Sequence, residues 1–511
     1  MPSFPFKKHS ITFKKHNVII LCLLLIFLSS CKKQDGNPTS PPIPQGPVEA
    51  KIFKVEGTKI TINGSEFIGK GVNVNGPYWP WSRPTVPDVS LIADTWKFNI
   101  VRLNWWPEFN IHNSNNTDMD AIVKAFTDKK VVVMIEQHNY TGKYPDANEL
   151  NILNNQWLEV AKKYRNNEYV WFNIMNEPGT GENVSPLWLS THETVIKTIR
   201  NIAPNIIVLD EHAFGQANGF KASSNSAAVI YGETLTGKYK NLIFSLHLYS
   251  NWIYGKERLD NYINALHAKN LAVIIGEYGV ANDYSMDVSS SVFKSTIPKK
   301  VGRIAWAWAG EDVHRLTTTG GGFAINNTSG SKPSNLSFAG NLVWMDNHNE
   351  LTTSSSDLIP PPVILANRNF EDGAPNQNSG VGNGWINFGT STIDNTVANV
   401  KQGSYAVKIA AGSGGGFGQP MYLEPGGTYR VTAWGKHDIA TSIETNLGIK
   451  IKNTINAPEV SIATLGFTDA SYQQKSATFT MPNQVAEVFL FVYKNAPAPI
   501  FWVDDILIEK L

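Results

Sequence analysis

Between residues 51 and 350, short apolar runs alternate with longer segments whose apolar positions recur at helical spacing. The runs are KGVNVN from Lys70, NIVRLN from Asn99, VVVMIEQH from Val131, YVWFNIMN from Tyr169, NIIVLD from Asn205, LIFSLHLY from Leu242, LAVIIGEY from Leu271 and GRIAWAW from Gly302. Near-continuous hydrophobicity over so few residues predicts strands buried on both faces. Stretches such as NNQWLEVAKKYRNN and LDNYINALHAKN supply helices between them. Strand and helix alternating every 30 to 40 residues or so predict an α/β domain, a (β/α)8 TIM barrel. An open doubly wound sheet is the alternative, but no glycine-rich fingerprint follows the first strand.

After residue 363 the texture changes. YAVKIAA, TYRVTAWGK, LGIKIKN, QKSATFTM, EVFLFVYK and FWVDDILIEK are short and alternating, separated by turn residues and free of helical period. They predict an all-β jelly-roll sandwich over 363–511. The Pro/Ser-rich stretch TTSSSDLIPPP marks a linker at 351–362, which leaves 51–350 to the barrel. Residues 32–50 are also proline-rich and polar, cannot bury a core, and read as a tether.

Ahead of the tether, Lys7, Lys8, Lys14 and Lys15 precede VIILCLLLIFL, too short for a comfortable membrane span and suited to a signal-peptide core. The run ends in LSSC, and small residues before Cys31 resemble a bacterial lipoprotein signal. That resemblance implies a signal peptide at 1–31, lipidation of Cys31, and export as a bacterial lipoprotein to the outer membrane or cell surface. An uncleaved N-terminal anchor is the alternative. Cys22 would leave with the peptide and Cys31 would carry lipid, so neither of the two cysteines serves disulfide, thiol or metal chemistry in the folded part.

Composition narrows the partners. At 42% hydrophobic and 11% aromatic, with 15 Trp, the chain fills a large core and has aromatics left for a cleft. A net charge of +1 gives no electrostatic reason to expect nucleic acid or an acidic partner, so a neutral substrate is expected. The chain is expected to be a monomer.

The polar residues of the barrel strands sit at their C-terminal ends: Arg102, His138, Asn176 with Glu177, Asp210, His247 with Tyr249, Glu277, and Trp306 with Trp308. In a parallel barrel those ends make one rim, where the chemistry is placed. A lone arginine, histidine or tryptophan at a strand end has an ordinary structural use, but the recurrence around the rim points to a site. Two carboxylates stand out. Glu177 follows the fourth strand and Glu277 the seventh, whereas Asp210 and Glu211 share one strand end and Glu136 lies deeper in its strand. Glycosidic cleavage needs an acid for the leaving oxygen and a second carboxylate opposite, about 5 to 5.5 Å away when the second is a nucleophile. A neighbouring carboxylate raises the acid's pKa, so one glutamate stays protonated beside an ionised one, and no cofactor is required. Pro178 ends the strand and fixes the turn that presents Glu177.

MNEP at 175–178 and IIGEYG at 274–279, with VRLNW, EQHN, FSLHLYS and IAWAWAG, resemble glycoside hydrolase family 5, the retaining cellulases and mannanases. The resemblance covers about residues 51 to 345. It implies that Glu177 is the acid/base and Glu277 the nucleophile. It further implies that Asn176 contacts the sugar 2-hydroxyl, that Arg102 and Tyr249 hold Glu277, that His138 and His247 shape the site, and that Trp306 stacks under the sugar with Trp308 facing the same way. Tyr78, Trp79, Trp81, Trp105, Trp106, Tyr140 and Tyr144 lie in or near the loops after the first three strands. They are candidate platforms for several subsites of a polysaccharide cut internally. VLDEHAFGQ, LIFSLHLYSNWIYG and RIAWAWAGED resemble bacterial β-mannanases more than cellulases, so β-1,4-mannan or glucomannan is favoured and β-1,4-glucan is the alternative. A non-catalytic glycan-capturing lipoprotein is the alternative of another class.

ILANRNFEDG, VKQGSYAVKI, LEPGGTYRVTAWGK and FWVDDILIEK resemble carbohydrate-binding modules of the family 4 and 9 type. By that resemblance Glu371 and Asp505 are candidate ligands of a structural calcium, and Trp385, Trp434 and Tyr493 candidate glycan contacts, with Trp434 better suited to the core. The glycine clusters TTTGGGF and AGSGGGFGQ lack the lysine and hydroxyl of a phosphate loop and read as plain loops. His112, His192, His212, His267, His314, His348 and His437 show no paired metal spacing.

Overall fold

The computed structural model describes residues 49–511, apart from 76–85, 107–118, 250–251, 253–255, 280–288, 309–315, 317–330, 356–357, 359–364, 372–379 and a few single positions. The signal-peptide and tether readings, with Cys31, lie outside the described residues, as do Tyr78, Trp79, Trp81, His112 and His314.

The chain starts with a small antiparallel sheet of β1 (Phe53–Glu56), β2 (Lys59–Ile62) and β3 (Ser65–Glu66), which the strand reading above did not include. Its signal is the Asn63-Gly64 turn, both residues at positive φ (50° and 80°), flanked by alternating apolar residues. Eight parallel strands follow: β4 (Lys70–Asn75), β5 (Ile100–Trp105), β6 (Val132–Gln137), β7 (Val170–Asn173), β8 (Ile207–Asp210), β9 (Leu242–Leu248), β10 (Val273–Tyr278) and β11 (Gly302–Ala305). They close in sequence order, β11 pairing with β4, into a barrel. Between and after them lie α1 (Val86–Ser90), α2 (Met119–Asp128), α3 (Ala147–Tyr164), α4 (Pro186–Arg200), α5 (Ala227–Thr236), α6 (Lys256–His267), α7 (Ser289–Lys299) and α8 (Phe338–Asn347).

Strand alternation sorts the barrel into layers. Val101, Leu103, Val133, Ile135, Phe172 and Leu209 point outward into the core shared with the helices. Ile100, Val132, Met134, Trp171, Val208, Ile243, Ile274 and Ile304 point inward near the strand starts and pack with Phe53 and Ile60 of the small sheet. That sheet is therefore the floor of the barrel. Trp171 is its plug, edge-on to Phe53 at 5.5 Å and to Phe67 at 5.7 Å. One or two pleats further up, the same inward rows change to Asn73, Arg102, Asn104, Glu136, Asn173, Asp210, Ser245 and His247, all buried.

Two expectations are corrected. The fourth strand stops at Asn173, three residues before Asn176, so Pro178 does not end it. The stretch from 351 is not a free linker throughout: Leu351 and Leu358 are buried in the barrel core, and the Ser290 hydroxyl donates to the Leu358 carbonyl.

The remaining strands are β12 (Ile386–Asn387), β13 (Ser391–Asp394), β14 (Ala406–Ile409), β15 (Gly415–Pro420), β16 (Thr428–His437), β17 (Thr445–Lys452), β18 (Val460–Phe467), β19 (Gln473–Thr480), β20 (Glu487–Lys494) and β21 (Phe501–Lys510). They form two five-stranded antiparallel sheets, β12-β15-β20-β17-β18 and β13-β14-β21-β16-β19, over a core of their own that includes Phe417, Val431, Leu447, Leu490 and Val503. Arg258 of α6 reaches across to Glu487 of β20 at 2.5 Å, and Lys452 pairs with the same carboxylate at 2.8 Å.

Truncating Trp171 to alanine removes the plug and leaves a cavity against Phe53 and Phe67. A loss of about 3 to 5 kcal/mol is expected, read as a lowered denaturant midpoint, with KM nearly unchanged because the plug lies below the site.

Candidate active site

The polar ceiling of the barrel is organised by Arg102. Its Nε donates to Asn173 at 2.8 Å, Nη1 to Asn73 at 3.1 Å and to Glu277 at 2.5 Å, and Nη2 to Asn176 at 2.7 Å and to Asp210 at 3.0 Å. Glu136 lies 3.5 Å from Nη1. Burial alone would push the guanidinium's pKa down, but Glu136, Asp210, Glu277 and Glu177 together raise it, so it stays charged. Asp210 answers in kind: burial would raise its carboxyl, but His247 and Arg102 hold it well below the usual carboxylate range.

Glu277 reaches this cation through an irregularity in β10. Ile274 points inward, so simple alternation sends Gly276 inward and Glu277 outward. The register against β9 shifts between Ile275 and Glu277, a bulge that pairs Glu277 with His247 and turns its side chain into the barrel. Gly276 permits this because a Cβ there would come 2.2 Å from Ser245 Oγ. Glu277 then accepts from Arg102 on one oxygen and from the Tyr249 hydroxyl, at 2.7 Å, on the other.

Glu177 sits on the loop beyond β7 with φ at 45°, the left-handed region that a non-glycine residue seldom occupies. The loop is held from both sides. Gly142 N–H donates to the Glu177 carbonyl at 2.8 Å, Gly179 N–H to Lys143 at 3.2 Å, and Glu177 N–H to Asp210 at 3.3 Å. Its carboxylate lies 2.9 Å from His247 Nδ1. Burial raises the Glu177 pKa, the His247 bond lowers it and the Glu277 charge raises it again, with an upward result. His247 is itself held up at about 10, because Glu277 and Asp210 outweigh its burial. The two groups share protons in a site where both acids cannot comfortably be ionised.

One carboxylate oxygen from each of Glu177 and Glu277, with a ring nitrogen of His247, lie within 4.8 Å of one another. The same trio is the one group among the described residues with metal-ligand spacing. Its atoms are already engaged by Arg102, Tyr249 and one another, and a guanidinium 2.5 Å from Glu277 opposes a second cation.

His138 stands on the opposite wall. Its Nδ1 lies 2.9 Å from Glu136, which also accepts from Asn104 at 2.7 Å, and its Nε2 faces Asn176 at 3.5 Å. Burial lowers and Glu136 raises its pKa, with a net increase. Trp106 and Trp306 flank the ring, at 4.3 and 6.3 Å between centroids.

The structure thus brings together Glu177, Glu277, Arg102, His138, Asn176, His247, Tyr249 and Trp306. It removes Trp308, which is buried at 3% exposure and packs edge-on against Trp96 and Phe98. β11 ends at Ala305, so the two-residue strand period that would align the tryptophans no longer applies. Trp105 and Tyr140 are also buried, the former beside Trp157, and offer no platform. Asp210, Glu136, Asn73 and Asn173 were not assigned a role from the pattern. Asp210 closes an apolar run just as Arg102 and Glu277 do, which is the signal that could have selected it.

The sequence profile of the cellulase family, glycosyl hydrolase family 5, matches residues 60–312, the span of this barrel. The barrel belongs to glycosyl hydrolase family 5. It is accordingly a glycosidase domain, and no cofactor takes part in that chemistry. A carbohydrate-binding domain profile matches residues 363–499. Among curated relatives, a mannan endo-1,4-β-mannosidase of Streptomyces lividans is 24% identical over 314 residues, 60% of this chain and 77% of the relative. The enzyme of that name from Cellvibrio japonicus is 24% identical over 356 residues, 65% and 77% of the two chains. An endoglucanase A of Butyrivibrio fibrisolvens is 26% identical over 239 residues, 45% and 52%. A solved β-mannanase from Thermomonospora fusca covers 58% of this chain and 96% of its own at 22% identity, with a TM-score of 0.47.

In the carbohydrate-binding domain, Trp385 is core, packed with Phe370 and Phe417. Trp434, expected inside, instead stands half-buried on the outer face of β16 with the Lys401 ammonium 4.1 Å from its ring centroid. Tyr493 belongs to an outward row with Phe489 and Phe491 on β20, joined by Phe388. The rings lie over glycines: a Cβ on Gly418 would approach Phe489 to 2.2 Å and one on Gly448 would approach Phe491 to 2.8 Å. Glu371 accepts from the Ser404 and Tyr405 amides, and Asp505 lies 3.7 Å from Arg368.

Replacing Arg102 with lysine keeps one charge but loses the fork that serves five partners. Expected is destabilisation of about 3 to 5 kcal/mol, together with loss of turnover. Denaturant unfolding and hydrolysis rates check the two effects separately.

Proposed function

We propose that the chain is a retaining endo-β-1,4-glycanase acting on β-mannan or glucomannan, with Glu277 as nucleophile and Glu177 as acid/base. The observation that carries this is the carboxylate separation. One oxygen of each glutamate lies within 4.8 Å of the other, which fits the roughly 5 to 5.5 Å between carboxyl groups in retaining enzymes better than the roughly 6.5 to 9.5 Å that admits a water in inverting ones. Glu277, aimed by Arg102 and Tyr249, attacks the anomeric carbon while Glu177 gives its proton to the departing glycosidic oxygen. Glu177 then takes a proton from the water that hydrolyses the glycosyl-enzyme. Asn176, held by Arg102 and by Thr141 at 2.8 Å, is set to meet the sugar 2-hydroxyl, and Trp306 to stack under the ring.

Mannan is favoured because two relatives that span 60% and 65% of this chain carry mannan endo-1,4-β-mannosidase as their name. The endoglucanase relative supports β-1,4-glucan as the second reading. The aromatic row of β20, on its glycine floor, suits the flat faces of pyranose rings and is the surface on which the carbohydrate-binding domain would hold the polymer. Lipidation at Cys31 and display on the cell surface are supported by the lysine-preceded apolar run and the LSSC that ends it. Calcium at Glu371 and Asp505 rests on the family resemblance, since one carboxylate is taken by amides and the other faces Arg368.

Glu277→Gln should lower kcat by about four orders of magnitude while binding of the polymer persists. Glu177→Ala should regain turnover with azide and release a glycosyl azide of retained configuration. An azide product of inverted configuration rejects the retaining reading. Sizing products from galactomannan, glucomannan and carboxymethyl cellulose decides the polymer, with a ladder of short oligosaccharides from the first two expected. Changing Phe489, Phe491 and Tyr493 together to alanine should reduce retention on insoluble mannan while leaving hydrolysis of soluble oligosaccharides unchanged.

A further inference from the structure

Asp210 makes four approaches, each to a different part of the site. It accepts from Arg102 Nη2 at 3.0 Å and from Asn173 Nδ2 at 3.0 Å, receives the Glu177 N–H at 3.3 Å, and lies 3.3 Å from His247 Nε2. The last approach is an ionic contact, and Nε2 is buried with no other partner in hydrogen-bond reach. A lone pair facing a carboxylate oxygen at that distance would be repelled, so Nε2 carries the proton. Nδ1 is then the atom that exchanges a proton with Glu177, 2.9 Å away.

We infer that Asp210 is a positioning residue that, through His247 and the Glu177 amide, keeps the acid/base glutamate supplied with its proton. The inference rests on the assignment of Glu177 proposed above. Among the described residues, three carboxylates, a phenol and a guanidinium surround His247. Glu177 comes from the loop after β7, Glu277 from β10 with its nearer oxygen at 3.7 Å, and Asp210 from β8; the Tyr249 phenol and the Arg102 guanidinium stand behind Glu277. The three carboxylates favour the protonated ring, and Arg102 opposes it. Asp210 alone among the carboxylates is positioned to do so without touching the substrate, since it lies beneath the other two and is fully buried. Its pull on His247, which stands at about 10, is consistent with this.

The sign of the effect follows. Removing one negative charge makes each nearby proton less tightly held, so the proton shared by Glu177 and His247 is lost at lower pH. Asp210→Asn in the full chain should move the alkaline limb of kcat/KM down by about one unit. It should also depress kcat/KM for the polysaccharide at least about tenfold more than kcat/KM for a 2,4-dinitrophenyl β-glycoside, whose leaving group departs without a proton. An unshifted alkaline limb, or equal loss on both substrates, overturns the inference. Glu177→Ala is the companion variant: if it too impairs both substrates equally, the assignment of Glu177 falls and this inference with it. Should Asp210→Asn fail to fold, histidine-ring 15N spectra of the unaltered protein decide the matter. Nε2 of His247 should stay protonated from about pH 5 to 8, and an unprotonated Nε2 in that range overturns the proposal.

Discussion

A single buried guanidinium among acids is the constraint on which this site depends. Four carboxylates, Glu136, Asp210, Glu177 and Glu277, converge on the ceiling of the barrel from strands or loops far apart in sequence, and their mutual repulsion in a dry interior would unfold the rim or protonate all of them. Arg102 offsets that repulsion directionally. Its fork faces Glu277 and Asp210 and sets Asn176 and Asn173, while Glu177, farther off, remains free to hold a proton. The different electrostatic settings of Glu277 and Glu177 therefore follow from which of them touches Arg102.

That arrangement is possible because the barrel is layered. Alternation along each strand gives one inward row, apolar where it meets the floor sheet and polar where it opens to the cleft. Trp171 and Asn173 are successive inward residues of β7, and between them the row passes from packing to chemistry. The floor closes the barrel to water from below, so the charges above act in a low dielectric and their pairings are strong.

Much of this was legible in the chain. All eight barrel strands were marked by their apolar runs, because a strand buried on both faces has no other way to be written. The polar residues ending those runs named the rim. The tryptophans were less readable. Trp306 and Trp308 have the same local signature, yet one lines the cleft and the other fills the core beside Trp96, since the strand ends at Ala305 and the period of two ends with it. Trp434 stands outside the interior expected of it for a related reason. An alternating strand shows that two faces exist, and its partners determine which of them is dry.

The sequence by itself determined the (β/α)8 architecture, the all-β second domain, the rim and the identity of its two paired glutamates, since each is a matter of hydrophobic period and of which residue types end a strand. The tertiary structure alone decided how those glutamates face each other. Glu277 points inward because a bulge at Gly276 breaks the alternation, and Glu177 because a positive φ held by Gly142 and Asp210 turns its loop. Such features depend on contacts between segments far apart in the chain, and hydrophobic period, which records only local burial, carries no trace of them.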